Sequence, residues 1–208
     1  MARYIGPACR LCRRQGEKLM LKGDRCTGKK CAVDQRSLPP GRGRPQRRKI
    51  SDRALQLREK QKARHTYGVM ERQFLKHFTE AGKRPGLTGE NMLQILEMRL
   101  DNVVFRLGFA DSRRQARQIV CHGHISLNGR KTDIPSCIVK VGDVIAWQER
   151  GTRTKYYEIM IDQIPGKIVP EWLSLDNDKL SGRVMSSPNR NEIDHKIDEK
   201  VIVEYYSR

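Results

Sequence analysis

The chain has 208 residues, enough for one large domain or two small ones, and an aromatic content of only 6% makes any core aliphatic. Its formal net charge of +18 is uneven: residues 1–64 hold 20 basic and 5 acidic side chains, whereas residues 150–208 hold 10 of each. Solubility alone needs no such asymmetry, so the charge implies a polyanionic partner, nucleic acid ahead of anionic lipid. No run approaches the ~20 apolar residues of a membrane span, and the start MARYIGPACR lacks a signal peptide's apolar stretch, which together imply a cytosolic protein with no membrane partner.

The first feature in chain order is CRLCRRQGEKLMLKGDRCTGKKC, residues 9–31. Cys9, Cys12, Cys26 and Cys31 form two close pairs in the spacing C-x2-C-x13-C-x4-C. Each pair can present two sulfurs to one ion, and in a reducing compartment such a cluster is expected to bind metal rather than form disulfides. Zinc (Zn²⁺) is the default ion; four thiolates also suit an iron–sulfur (4Fe–4S) cluster, and the spacing does not separate the two. Four protein ligands leave no open position for water, so the site is expected to be structural. A segment of ~30 residues this rich in charge buries too little apolar surface to fold alone, and a thiolate-bound metal can supply ~10–16 kcal/mol. The ion would stiffen a basic loop whose Arg10, Arg13 and Arg14 face outward, with Arg3 beside them, for RNA. Tyr4 either stacks on a base or anchors the N-terminus.

Residues 37–50, SLPPGRGRPQRRKI, cannot form a packed element. They read either as an extended arm laying Arg42, Arg44, Arg47, Arg48 and Lys49 along phosphates, or as a linker. Ser51 is suited to cap a helix running to about Thr66, with Arg53, Lys60 and Arg64 on one face and Arg58 and Lys62 on another. Its apolar residues are few, and nucleic-acid backbone at Arg53, Arg58 and Lys62 would support it. The spacing predicts further helices from about Met70 to Ala81 and after Thr88, both with ordinary core stripes.

Residues 99–147 open with Leu100, Val103, Val104 and Leu107 at i, i+3, i+4, i+7, an amphipathic helix ended by Gly108. Ser112 or Asp111 caps a second helix to about Cys121, on which Arg113, Arg114 and Arg117 share an arc and form the leading candidates for phosphate contacts. His122 and His124 either reach a groove edge or are merely exposed. Asn128-Gly129 signals a hairpin between strands at His124–Leu127 and Arg130–Thr132, with Arg130 and Lys131 extending the basic patch; Asp143–Trp147 is another strand. Asp101 is expected to cap a helix or pair with an arginine. Cys121 and Cys137 read as packing residues. Residues 150–200 carry no assignable pattern. No phosphate loop, G-x-S-x-G or H-E-x-x-H motif is present and no small-molecule substrate is implied, so the chain is not expected to be an enzyme.

Several ordered segments, RYIGPACRLCRR, LPPG, LREKQKAR, YGVMERQF, TGENML, RLDNVVFRLGFADSRRQARQIVCHGHI and VIVEYYSR, resemble the bacterial family of small-subunit ribosomal protein four (S-four), and the cysteine spacing resembles its four-cysteine branch. The likeness spans the chain and is weakest over 150–200. It implies a structural constituent of the small ribosomal subunit that binds small-subunit ribosomal RNA early, at its 5′ domain, and nucleates assembly of the subunit body. It also implies a place near ribosomal protein S-five and neighbouring small-subunit proteins, beside the messenger RNA entrance, with an effect on decoding accuracy. The implied fold is α+β: a metal-stabilised basic N-terminal extension (1–45), a small all-helical domain (46–98 plus 190–208), and an RNA-binding domain (99–189) of two helices packed on a small, twisted, mostly antiparallel sheet. By the same likeness, Val201–Tyr206 would pack against residues 51–98. Two rivals remain: the same RNA-binding module attached to an enzyme, for which no stretch is long enough, and a DNA-binding regulator, which preference for folded RNA would exclude.

Overall fold

The structure is a computed structural model that describes residues 3–36, 38–41, 50–177, 179–194 and 196–207. Arg42, Arg44, Arg47, Arg48 and Lys49 lie outside the described residues. The chain forms two compact units, Met1–Met92 with Asp194–Arg208, and Leu93–Ile193. Among the described residues no helix is long and apolar enough to cross a membrane.

In the first unit three short helices, α1 (Ala8–Gln15), α2 (Asp24–Thr27) and α3 (Ala32–Gln35), precede the long α4 (Asp52–Thr66). Ser51 caps α4, its Oγ accepting from the Ala54 N–H at 3.4 Å. Then comes α5 (Glu71–Ala81), and α6 (Thr88–Glu97) runs from the end of this unit into the second, burying Met92, Leu93, Ile95 and Leu96. The inner face of α4 is polar, with Gln56, Lys60 and Lys62 buried. It is matched by a partner from the far end of the chain, the helix at Glu199–Tyr206, where Tyr206 packs on Phe78 with ring centroids 4.5 Å apart. Lys60 reaches Glu71 at 2.6 Å and lies 4.6 Å from the Tyr205 ring centre, so charge and π-face together compensate a buried ammonium. The Gln56 amide donates to Glu204 at 3.0 Å.

In the second unit α7 (Leu100–Arg106) packs on α8 (Arg113–Cys121), and both cover a sheet. Five strands are described: β1 (Ile125–Leu127), β2 (Arg130–Lys131), β3 (Val144–Trp147), β4 (Leu173–Asp176) and β5 (Ser181–Val184). They run in the order β2-β1-β3-β5-β4, every pairing antiparallel. Leu100, Val103, Val104 and Leu107 meet Ala116, Val120, Ile125, Ile145 and Trp172 in one core. The hairpin between β1 and β2 turns through Asn128 (φ 51°) and Gly129 (φ 78°), the left-handed pair that a tight turn requires. Residues 149–193, unreadable from sequence, contribute α9 (Glu149–Thr152), α10 (Lys155–Gln163) and the outer strands. Gly182 pairs with Ile145, and a side chain at Gly182 would collide with Leu107. The Glu199–Tyr206 helix is α11.

Candidate nucleic-acid interface

The four clustered cysteines are gathered by three short elements. Cys9 and Cys12 sit on α1, Cys26 on α2, and Cys31 immediately precedes α3. All four are free thiols, three of them buried, and together they line one small cavity of about 10 Å³ rimmed by Lys18, Lys22 and Arg25. The Lys22 N–H points at Cys26 Sγ from 3.3 Å. Burial pushes the Cys12 thiol up, the Leu19 N–H pulls it down, and the other three sulfurs add to the rise. As they stand, no three His, Cys, Asp or Glu side chains among the described residues are grouped as a metal cage. The donor set nevertheless fits a soft cation: four sulfurs around one cavity, no competing carboxylate in its lining, and thiols whose mutual repulsion a bound cation would reverse. Apolar support is thin, Ala8, Cys12, Leu19 and Leu21 with Leu11 and Val33.

Beside this knuckle lies a larger concavity of about 740 Å³ between α1 and α4. Arg10 and Arg14 enter it from α1, Arg58, Arg64 and His65 from α4, and Tyr4 from the N-terminal strand of chain. Among the described residues no acidic side chain is in its lining. The Gln15 amide donates to the Arg58 carbonyl at 3.3 Å and fixes the two helices across the groove. Arg13 is turned aside, its Nε donating to the Leu38 carbonyl at 2.9 Å. Cations converging on a concave wall focus positive potential where a polyanion's backbone can enter.

Other expected contacts are placed differently. Arg3 is exposed, and Arg53 is exposed with its guanidinium 5.1 Å from the Tyr205 ring centre. Lys62, assigned to nucleic-acid backbone, is buried against Glu59 at 2.8 Å and Glu17 at 3.4 Å. Burial opposes its charge, but the two carboxylates hold its pKa above the ordinary lysine value. The arginine trio does not form one outward face either. Arg117 is 7% exposed and paired with Asp101 at 3.1 Å, beside Arg99, which grips the same carboxylate through two nitrogens. Arg113 donates to Asn102 at 2.6 Å and lies over the Phe105 ring, within 3.7 Å of Glu97. Arg114 is half-buried. The reason is the apolar arc of α8: with Ala116, Ile119 and Val120 inward, Arg113 and Arg117 fall on its flank, where Asn102 and Asp101 of α7 and Glu97 at the end of α6 receive them. Arg130 and Lys131 are exposed on β2, His122 is exposed, and His124 is half-buried with its pKa lowered by burial, then by His122 and Arg150.

Residues 3–97 match the family model described as "Ribosomal protein S4/S9 N-terminal domain" and residues 98–145 the model described as "S4 domain". The chain is 55% identical to "Small ribosomal subunit protein uS4" of Heliobacterium modesticaldum and 53% identical to the protein of that name in Acetivibrio thermocellus, with all of both chains covered in each case. It is 53% identical to "Small ribosomal subunit protein uS4A" of Symbiobacterium thermophilum, again over the full length of both. The chain belongs to the uS4 family. That is a ribosomal protein family and not an enzyme family. The two uS4 domain matches meet at the end of α6, and the full-length relatives carry the likeness through α10, β4, β5 and α11, which lie beyond both models. Sequence reasoning left Arg64 and His65 out of the interface. The signal was available: Ala54, Leu57, Arg58, Gln61 and His65 recur at helical spacing and form the single stripe of α4 that lines the groove.

Proposed function

We propose that this chain is a structural protein of the small ribosomal subunit that binds its ribosomal RNA, with the α1–α4 groove as principal phosphate grip. The observation that carries the reading is the groove presenting Arg10, Arg14 and Arg58 on one concave wall with His65 and with Arg64, which also lies 3.7 Å from Glu71, and with no acidic side chain among the described residues of its lining. A cavity of about 740 Å³ has room for a sugar–phosphate unit, and guanidinium forks suit phosphate oxygens. The uS4 relatives support the ribosomal assignment and a place in the cytoplasmic ribosome. In finer detail, the proposed RNA is the 5′ domain, with early binding that nucleates the subunit body. The proposed neighbours are ribosomal protein S-five and messenger RNA near its entrance, where the protein contributes to decoding accuracy. The proposed role of Cys9, Cys12, Cys26 and Cys31 is to hold one zinc ion, the four-cysteine arrangement, with an iron–sulfur cluster as the second reading. When bound, the ion supplies a structural cross-link and no chemistry.

An equilibrium titration across a salt series tests the reading, comparing a 5′-domain RNA fragment, an unrelated structured RNA and mixed-sequence duplex DNA. General phosphate attraction fades steeply with salt, by ~10³–10⁵ between 50 and 200 mM for ~6–10 contacts. The expected result is a lead for the ribosomal fragment that persists as salt rises. Equal binding that fades together would leave only generic charge.

A further inference from the structure

The second unit holds a separate cavity of about 260 Å³ whose walls are unlike the arginine groove. It opens where α8 ends and β3 passes, and it is lined by Gln115, Gln118, His122, His124, Trp147 and Tyr156, with Ile119 and Thr154. The His122 and His124 rings meet edge-on with centroids 5.9 Å apart, and His124 tilts toward Trp147 at 6.4 Å. Among the described residues no carboxylate is in the lining. Trp147 is 8% exposed, yet its indole N–H meets no hydrogen-bond partner among the described residues. Tyr156 is already satisfied, its hydroxyl donating to the Phe109 carbonyl at 3.1 Å. Gln115 Oε1 accepts from the Asp111 N–H at 2.9 Å, which leaves its amide N–H groups directed elsewhere.

We propose that this cavity takes one unstacked nucleobase of a single-stranded RNA segment, held against its aromatic walls and read at its edge by the Gln118 amide. The inference rests on the RNA-binding reading above and adds a base-recognition site to it. Size argues for a single planar ring system: sites for drug-sized ligands occupy ~300–1,000 Å³, and this one falls below that range. Chemistry argues for a base rather than a phosphate, because the walls offer aromatic rings and amides where a phosphate site would gather guanidinium and ammonium groups. Burial keeps His124 toward its neutral form, which stacks without drawing an anion.

The test uses the full chain and two exposed positions, so folding is not at stake: Gln118→Ala and His122→Ala, singly and together, titrated with the 5′-domain RNA over a salt series. Removing base stacking and edge hydrogen bonds weakens affinity by ~5- to 150-fold without altering counterion release. The expected result for the double variant is therefore weaker binding with an unchanged salt slope. Unchanged affinity, or a slope that falls along with affinity as for a phosphate contact, would overturn the proposal while wild-type binding still upheld the RNA reading. A second measurement is independent of that reading. Free adenosine and uridine should shift the Trp147 indole N–H resonance, whereas ribose 5-phosphate, which lacks a base, should not. Silence toward both nucleosides, or an equal response to the sugar phosphate, overturns the site.

Discussion

At the scale of single residues, the same side-chain chemistry serves two purposes, and burial separates them. Arg10, Arg14 and Arg58 stand exposed around an acid-free groove; Arg99 and Arg117 share the Asp101 carboxylate inside the second unit. Arg99 is fully buried, so removing Asp101 takes the shared carboxylate from two guanidinium groups inside the second unit. Asp101→Ala is expected to cost about 3–5 kcal/mol of folding free energy, measurable by chemical denaturation, while Asp101→Ala with Arg117→Met recovers part of it. A loss under about 1 kcal/mol would mean that water reaches the pair. Sequence offered Asp101 as a helix cap or as a partner for an arginine, but it could not tell which arginines turn inward. That choice depends on Asp101 of α7 and Glu97 at the end of α6 and, for Lys60 and Lys62, on Glu71, Tyr205 and Glu59, most of them remote or on another element.

At the scale of elements, what is locally encoded was legible. Ser51 and Ser112 cap α4 and α8 as their spacing implied, the Asn128-Gly129 turn closes its hairpin, and Leu100, Val103, Val104 and Leu107 face the core. The outer strands were not legible, because LSLD and SGRV are too short for a period and Gly182 is chosen by the approach of Leu107. The knuckle formed by α1, α2 and α3 has so few apolar neighbours that its cohesion is expected to come from a bound ion. Cys9→Ser with Cys12→Ser, or chelation of the wild type, is expected to open residues 3–36 to proteolysis and amide exchange while leaving α7, α8 and the sheet protected. Equal protection with and without the thiols would show that the apolar cluster alone holds the segment.

At the scale of the whole molecule, affinity is expected to divide between the groove and the rest of the basic surface. Replacing Arg10, Arg14 and Arg58 together by alanine is expected to flatten the salt dependence of RNA binding by about 0.7–0.9 in log–log slope for each phosphate no longer neutralised. Arg117→Ala is expected to lower folding stability and leave that slope alone; the reverse pattern would return the phosphate role to α8. The chain path adds a temporal order. Residues 93–193 are inserted between the two segments of the first unit, so a chain growing from its N-terminus has the whole second unit available before α11 exists. Closing so long an insertion is thermodynamically mild, since each doubling of a flexible loop costs only ~0.6 kcal/mol. The consequence lies in timing: Lys60 gains its tyrosine faces, and Gln56 its glutamate, only after residues 199–206 have been synthesised. A prematurely terminated chain therefore carries the arginines of the groove on an α4 that lacks its backing, and finished synthesis becomes the event that makes the first unit whole.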